Sequence, residues 1–232
     1  MSTTVIERKS EFMRGVFAGV SIAIGYLPAA LTFGLLAKST GLSFVETVAM
    51  SLFVFAGAAQ YMALNLIALG TGAIEIIFTT FIVNIRHLLM TASLSERVEN
   101  DHPLIKACYS FGITDEVFAV TSTKEGTLKT SFIIGVATLA YSSWVINTGL
   151  GYIVGSALPE TLQQSMAIAL YAMFIALLIP STKGQRKVLI LAISAAFFNS
   201  TLSLFIPNGW SIILATLLAS VGIEFITKGV EK

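Results

Sequence analysis

Charged residues are scarce in this chain, and the shortage is uneven. Aspartate, glutamate, lysine and arginine make up 12% of its 232 residues, about half of the roughly 25% found in soluble domains. Gly15–Ala92 contains four charged side chains and Ser131–Thr227 contains five, whereas Ser93–Thr130 contains ten. A soluble protein with such stretches would expose large apolar patches to water. The shortage argues against an ordinary soluble domain and indicates a polytopic membrane protein.

Several other features are missing from the sequence. The single cysteine, Cys108, excludes an intrachain disulfide. The N-terminal sequence MSTTVIERKSEFMRG has no short apolar core followed by a small-residue cleavage site, so we expect no cleaved signal peptide. No glycine-rich ATP-binding loop with its lysine occurs, and the net charge of +1 gives no indication of nucleic acid binding. We therefore expect no cofactor and no nucleic acid partner.

Long apolar runs are what the chain does contain. A membrane-spanning helix needs about 20 mostly apolar residues, and short turn sequences such as KSTG, GTG and PNG separate the runs. Because an open strand edge is unsatisfied in lipid, we predict one all-α membrane transporter domain over residues 1–232. It would have about seven to eight embedded helices, some broken or re-entrant. The seven clearest segments are Gly15–Ala37, Phe44–Leu69, Ala73–Ala92, Ser131–Ser156, Gln163–Pro180, Val188–Ile206 and Trp210–Ile226.

The distribution of lysine and arginine favours an eighth embedded segment. With seven crossings, the basic N-terminus and the basic C-terminus would face opposite sides of the membrane, contrary to the positive-inside rule. A crossing at Pro103–Thr123 places ten basic residues on one side and three on the other, so we expect both termini in the cytoplasm. Two alternatives stay open: a re-entrant first segment broken near Gly25 and Pro28, and an interfacial helix at Pro103–Thr123.

A weak internal repeat accompanies these segments. GLLAKSTGLSF, which begins at Gly34, resembles GYIVGSALPET, which begins 117 residues later at Gly151. Asn84 and Asn199 lie 115 residues apart, each in the third segment of its half. Because repeats are common in transporters, we predict possible repeat halves at 15–123 and 131–227. Whether they are parallel or inverted, or alike only by chance, stays open.

The second apolar segment contains FAGAAQ, a stretch with almost no side chains. Small residues allow close packing of membrane helices, which is one interpretation. The other is a helix interrupted beside a ligand, where the amides of Gly57, Ala58 and Ala59 could bind a carboxylate and Gln60 could form hydrogen bonds.

The third segment contains Asn84, Arg86 and His87 within the apolar run FIVNIRHLLM. An arginine in mid-bilayer costs from about 3 to over 10 kcal/mol, so it is expected to face a polar cavity or an acidic partner. Helical geometry places Asn84 and His87 on one face and Arg86 on roughly the opposite face. We expect Arg86 to reach Glu75 or an acid from another segment. Alternatively, Arg86 and His87 extend to the membrane surface.

Two further features place polar groups in apolar surroundings. Asp115 and Glu116 are adjacent carboxylates that would be costly to ionise in lipid, which suits one of them to carry a proton; a solvated pair on a surface helix is the alternative. Gly25, Tyr26 and Pro28 are expected to break the first helix, which would either open carbonyl groups to a pathway or only kink the chain.

Four motifs in order, GYLPAALTFGLLA, FAGAAQYMAL, VNIRHLLMTASL and TDEVFAV, together resemble the branched-chain amino acid permease family of the AzlC type. The resemblance covers about Arg14–Pro180. It implies a multi-pass bacterial inner-membrane exporter of valine, leucine and isoleucine that works with a small hydrophobic membrane subunit of the AzlD type.

The family's patterns fall on particular residues of this chain. Met90 and Thr91 stand where many members carry an aromatic residue and a glycine, which leaves the preferred amino acid open. The matching positions are Gly57, Ala58, Ala59 and Gln60, then Asn84, Arg86 and His87, and then the acidic pair Asp115 and Glu116.

Together these observations favour a secondary transporter and not an enzyme. The substrate carboxylate would bind the amides of Gly57–Ala59, assisted by Gln60 or Arg86. Its ammonium group would bind Asn84 and the acidic pair, and its side chain would lie between Tyr26 and Phe55. Proton antiport would use titratable side chains, with sodium coupling left open. The residues expected to carry the proton are His87, Asp115 and Glu116.

Two other classes of function are weighed against transport. A passive channel requires a continuous polar stripe, and the segments hold too few polar residues for one. An intramembrane enzyme requires a nucleophile or metal constellation, and the sequence contains no His-Glu-x-x-His motif or paired cysteines.

Overall fold

The structure is a computed structural model that describes residues 11–230, apart from 163, 166–167, 169–171, 173–174, 176–177, 180–181 and 184. Of 208 and 224–230 only the backbone is described. The regular structure of the described residues is helical, which confirms the predicted all-α fold. Much of the predicted segment Gln163–Pro180 lies outside the described residues. The helices named below are α1 (Val20–Ser39), α2 (Phe44–Phe53), α3 (Gly57–Ala68), α4 (Ala73–Ser95), α5 (Pro103–Phe111), α6 (Asp115–Ser122), α7 (Thr130–Val154), α8 (Arg186–Leu202) and α9 (Asn208–Val230).

Three helical stretches of the described chain are long and apolar enough to cross a membrane: Val20–Ser39, Ala73–Ser95 and Thr130–Ala157. The last consists of α7 and a short 3₁₀ turn, Gly155–Ala157. The second predicted segment, Phe44–Leu69, is divided into α2 and α3. The eighth predicted segment, Pro103–Thr123, is divided into α5 and α6.

The chain forms two compact units. The first comprises the described residues of Met1–Tyr61 and Asn84–Met173. The second comprises those of Met62–Val83 and Phe174–Lys232.

Close contact between α1 and α7 forms the centre of the first unit. A Cβ atom added at Gly34 would overlap the carbonyl oxygen of Thr148, and one added at Gly151 would overlap that of Leu31. The small residues therefore let the two backbones touch, as is common in membrane helix pairs. Phe33 and Trp144 are almost completely buried beside this contact.

The helices α1 and α7 run in the same direction. The start of the first segment meets the start of α7, where Gly15 lies against Phe132, and the later residue Gly34 lies against Gly151. Parallel spanning helices require an odd number of membrane crossings between them. One crossing or three would fulfil that condition, so the crossing at Pro103–Thr123 and the form of the repeat stay predictions.

The expected break in the first helix is wrong. Helix α1 is continuous from Val20 to Ser39 with Pro28 inside it. Proline removes only one helical hydrogen bond, and the Thr32 hydroxyl donates to the Pro28 carbonyl oxygen at 2.9 Å. Packing on α7 holds the remainder of the helix, so a re-entrant first segment is not supported.

The second unit contains the paired helices α8 and α9. The Ser211 hydroxyl on α9 donates to Oδ1 of Asn199 on α8 at 2.7 Å. Trp210 stacks on Phe78 of α4, with 6.5 Å between ring centroids. A cavity of about 400 Å³ lies in this unit. Its lining residues are Met62, Asn65, Leu66, Ala68, Leu69, Asn199 and Ile212.

Candidate functional site

Two interrupted helices define the candidate site in the first unit. Helix α2 ends at Phe53 and α3 begins at Gly57, so 54–56 form a first break. Helix α5 ends at Phe111 and α6 begins at Asp115, so 112–114 form a second break. Non-helical backbone within an apolar segment is tolerated where protein or a polar cavity surrounds it. The structure thus shows the interruption in the segment that contains FAGAAQ, and a ligand beside it stays a prediction.

The first break is shaped by Trp144. A Cβ atom added at Gly57 would lie 2.9 Å from the Trp144 ring, so a side chain at this position would displace the indole. Ala56 accepts the amide hydrogen of Gln60 at 3.0 Å and is thus the last residue before the helix. The first amides of a helix lack helical acceptors. Those of Gly57 and Ala58, which are half-buried, are available to an anionic group.

Gln60 is fully buried and bonded to protein on both sides of its amide. Its Oε1 accepts from the Trp144 indole nitrogen at 2.8 Å. Its Nε2 donates to the Ser51 hydroxyl at 3.1 Å, and Ser51 lies 2.9 Å from the Thr148 hydroxyl. This chain of hydrogen bonds connects α2, α3 and α7 across the first break. The structure gives Gln60 partners that fix the break, and its predicted contact with substrate stays a prediction.

The second break ends in a capped helix. The Thr114 hydroxyl accepts from the Val117 amide at 3.3 Å, so it caps α6. Asp115 and Glu116 follow in the first turn, where carboxylates are favoured by the unpaired amides and the helix dipole. The acidic pair therefore has a local reason to lie here.

Tyr26 connects the two breaks. Its hydroxyl donates to Oε2 of Glu116 at 2.5 Å and lies 2.8 Å from the Thr114 hydroxyl. Its ring packs edge-on against Phe55 of the first break, at 6.2 Å between centroids, and against Trp144, at 5.1 Å. Only 3% of Tyr26 is exposed. Tyr26 therefore contacts both breaks and couples their positions.

Arg86 and His87 reach the second break from α4. Nη1 of Arg86 lies 2.9 Å from Oδ2 of Asp115, so the arginine does pair with an acid from another segment. Nδ1 of His87 lies 2.7 Å from the carbonyl oxygen of Ile113. Helical geometry predicted that Arg86 and His87 diverge, yet both side chains meet the same break within three residues. A long arginine side chain bends toward a charge that lies beside its own face.

Three polar atoms in this cluster are buried without a hydrogen-bond partner among the described residues. They are Oδ1 of Asn84, Nε of Arg86 and Nε2 of His87. Buried polar groups are nearly always bonded, so each unpaired atom calls for an explanation such as a water molecule or a ligand. All three lie on one turn of α4, and they mark where a polar ligand would find donors and an acceptor.

A small apolar cavity adjoins the second break. Its volume is about 220 Å³. Phe55 contacts two of its walls, with centroid distances of 5.2 Å to Tyr141 and 6.4 Å to Phe111. The lining residues are Cys108, Tyr109, Phe111, Gly112, Ile134, Ala137, Thr138 and Tyr141.

Sequence reasoning missed several members of this site. Thr114 stands directly before the acidic pair, a helix-start pattern that could have revealed the second break. Trp144 carried a weaker signal as a tryptophan within an apolar segment, because its buried indole nitrogen requires an acceptor. Tyr141 and Ile134 carried none, since aromatic and aliphatic residues are ordinary in a membrane helix.

Comparison with known proteins extends these observations. The family model described as AzlC protein matches residues 21–158, a range that contains both breaks and the residues around them. An uncharacterized membrane protein of Archaeoglobus fulgidus is 32% identical over 183 residues, 78% of this chain and 80% of its own length.

Two relatives carry more informative names. The inner membrane protein YgaZ of Escherichia coli K12 is 31% identical over 189 residues, 78% of this chain and 77% of its own. The branched-chain amino acid transport protein AzlC of Bacillus subtilis is 25% identical over 217 residues, 92% of this chain and 84% of its own. No solved structure matches the chain.

Proposed function

Since the chain belongs to the AzlC family, we propose that it is a secondary transporter that exports branched-chain or similar apolar amino acids across the bacterial inner membrane. The observation that carries this proposal is the meeting of two interrupted helices around Tyr26. Interrupted helices with free helix ends are a recurrent means of binding small zwitterions in transporters. The transport protein of Bacillus subtilis that resembles this chain supports the substrate class.

The substrate has three chemical parts, and the first unit offers a place for each. Its carboxylate binds the free amides at Gly57 and Ala58, where the start of α3 favours negative charge. Its ammonium group binds Oδ1 of Asn84 and the carboxylate of Asp115, and Arg86 is displaced toward the substrate carboxylate. Its aliphatic side chain enters the 220 Å³ cavity beside Phe55.

Gln60 and Tyr26 act as positioning residues in this scheme. Gln60 holds Trp144 against Gly57 and so fixes the first break. Tyr26 holds Glu116 and packs on Phe55, which couples the two breaks. In this scheme either residue influences binding through its neighbours, and its direct contact with substrate stays a prediction.

Energy for export comes from a cation gradient in this proposal. His87, Asp115 and Glu116 remain the proposed proton-carrying residues of the first unit. Asp115 exchanges its arginine partner for the substrate ammonium, which links its ionic state to substrate occupancy. Both chain termini are placed in the cytoplasm, as the distribution of lysine and arginine favours.

A small hydrophobic subunit of the AzlD type completes the exporter, and α4 is the proposed contact. Only 6% of the apolar window of α4 is buried within the chain, against 44% for α1. Its exposed apolar residues include Ile77 and Leu88.

In a Cys108→Ser background, a cysteine at Leu88 should cross-link to the small subunit, and one at Ile146 of α7 should not. Equal cross-linking at both positions would place the contact elsewhere.

Reconstitution in lipid vesicles tests the function. The purified chain is reconstituted with and without the small subunit, and the vesicles are loaded with unlabelled valine. Uptake of labelled valine by counterflow is then measured. We expect saturable counterflow that valine, leucine and isoleucine inhibit and that aspartate and lysine do not. Linear, unsaturated flux of unrelated small solutes would instead indicate a channel. Absence of counterflow with the complete pair would remove the transport assignment.

A further inference from the structure

The second unit contains a pair of buried oxygen atoms that the proposed function does not use. Oε1 of Glu75 and Oγ1 of Thr79 are inaccessible to solvent and have no hydrogen-bond partner among the described residues. Thr79 is 0% exposed. A buried polar atom without a partner is destabilising and rare in native proteins. Two such atoms on successive turns of α4 therefore point to a missing ligand.

The two oxygens converge on one position. A Cβ atom added at Gly209, in the first turn of α9, would lie 2.6 Å from Oε1 of Glu75 and 2.7 Å from Oγ1 of Thr79. Glycine is thus the residue that leaves room for both oxygens at the start of α9. Glu75 and Thr79 are four residues apart, so their side chains share a face of α4.

Thr79 differs from several other threonines in the described helices. A threonine in a helix usually donates its hydroxyl hydrogen to the carbonyl of the residue four positions earlier. Thr80, its direct neighbour, does so with the Ile76 carbonyl at 2.7 Å. The Thr79 hydroxyl makes no such bond, and like Oε1 of Glu75 it lies beside Gly209. The same backbone bond occurs at Thr32, Thr121, Thr201 and Thr216.

The chemistry of these atoms selects a small cation. Both are oxygens: the carboxylate can only accept when ionised, and the threonine hydroxyl accepts through its lone pairs. No salt bridge to Glu75 occurs among the described residues, whereas Asp115 in the first unit already pairs with Arg86. Glu75 is half-buried as a residue, while its Oε1 is inaccessible to solvent.

We propose that Glu75 and Thr79, packed against Gly209, form a further binding site for the cation whose gradient drives transport, a proton or a sodium ion. This inference rests on the proposed function and adds to it a site in the second unit. A bound proton would let Glu75 donate to the Thr79 hydroxyl, and a sodium ion would be held by both oxygens. In either case one cation gives partners to both unpaired atoms.

The decisive variant is Glu75→Gln, studied with the complete protein in vesicles. Two transport modes are measured: counterflow, which needs no net cation movement, and accumulation driven by an imposed gradient. In one arm the gradient is of pH without sodium, and in the other it is of sodium at equal pH. The arm that drives the unaltered protein identifies the cation. We expect Glu75→Gln to keep counterflow and to lose gradient-driven accumulation by about tenfold or more.

Matched variants on the same helix and on α2 control this test. Thr79→Val should reduce accumulation about fivefold, and Thr80→Val should leave it unchanged, because its hydroxyl is already bonded to backbone. Glu46→Gln should also leave it unchanged, since that carboxylate caps α2. If Glu75→Gln does not insert, Glu75→Asp and Thr79→Val decide by the same comparison.

The outcomes separate failure of this site from failure of the proposed function. Absence of counterflow in the unaltered protein contradicts the function itself. Normal gradient-driven accumulation by Glu75→Gln, or by both Glu75→Asp and Thr79→Val, overturns the cation site and leaves the function standing. Loss of counterflow along with accumulation, in a correctly inserted Glu75→Gln variant, also overturns it, because Glu75 would then serve substrate binding.

Discussion

Helices α1 and α4 are both long and apolar enough to cross a membrane, yet they are used differently. Within the chain, 44% of the apolar window of α1 is buried and 6% of that of α4. Helix α1 touches α7 at its glycines. Helix α4 carries five of the six buried, unpaired side-chain atoms found in the described residues. The comparison teaches that α1 stabilises the fold by packing, whereas α4 carries polar groups without partners among the described residues.

Substitution of a contact glycine should have the largest effect. Gly151→Ala places a methyl group onto the Leu31 backbone, which we expect to cost about 3 kcal/mol of stability. Thermal unfolding in detergent measures the loss. Gly25→Ala is the control, since nothing lies within 4 Å of its added Cβ and alanine favours the helix. Equal melting temperatures for the two variants would contradict the architectural role of α1.

Gln60→Ala and Asn84→Ala should separate architecture from polar function. Gln60→Ala leaves the buried Trp144 nitrogen without its acceptor, at a cost of about 2 kcal/mol in stability. Asn84→Ala removes an oxygen that has no partner among the described residues, so the melting temperature should stay unchanged while counterflow falls about tenfold. Reversed behaviour, with Asn84 needed for stability and Gln60 not, would invert the comparison.

Exchange of a charge pair should sharpen the role of α4. Asp115→Asn removes the partner of Arg86, and both side chains are partly exposed, at 24% and 35%. We therefore expect the transport rate to fall about tenfold, which corresponds to about 1.4 kcal/mol. The double variant Arg86→Asp with Asp115→Arg should recover melting behaviour but not transport. Full recovery of transport would mean that the pair only supports the fold.

The smallest effect is expected at Glu11, which precedes α1 in the chain. Hydrogen bonding to Lys124 lowers the pKa of Glu11 below its usual 4.5. Because the folded-state pKa is the lower one, the pair stabilises the protein above pH 4.5, and this stabilisation is lost as pH falls through the folded-state pKa. Glu11→Gln should cost less than about 1 kcal/mol at pH 7.

The loss in Glu11→Gln should shrink as pH drops below 4.5. Melting curves of both proteins from pH 7 to pH 3 check the trend. A difference that stays constant across this range would show that the ion pair with Lys124 does not contribute.

Much of the fold followed from single-residue chemistry. Scarcity of charge predicted a membrane protein, and the small residues of FAGAAQ predicted the first break. Arg86 required an acid from another segment because a lone guanidinium is costly in lipid. The partner, Asp115, was among the candidates but could not be chosen, since pairing depends on which helices become neighbours.

Other expectations failed because sequence rules are local. Pro28 and Gly25 predicted a broken first helix, but tertiary packing on α7 outweighs one missing hydrogen bond. Helical angles separated Arg86 from His87, but long side chains follow their partners and not only their own Cα positions. Nothing in the sequence set Thr79 apart, because the partners of a hydroxyl depend on what faces it in the folded chain.

By itself, the sequence determined that this is a helical membrane protein and which family it belongs to, since each depends on composition or on ordered local motifs. Only the tertiary structure decided which polar groups find partners and which remain unpaired. Hydrogen bonds between distant segments require distances of about 3 Å, and such distances exist only after helices have packed. For that reason Gln60 forms hydrogen bonds on both sides of its amide, whereas Oε1 of Glu75 has no partner among the described residues.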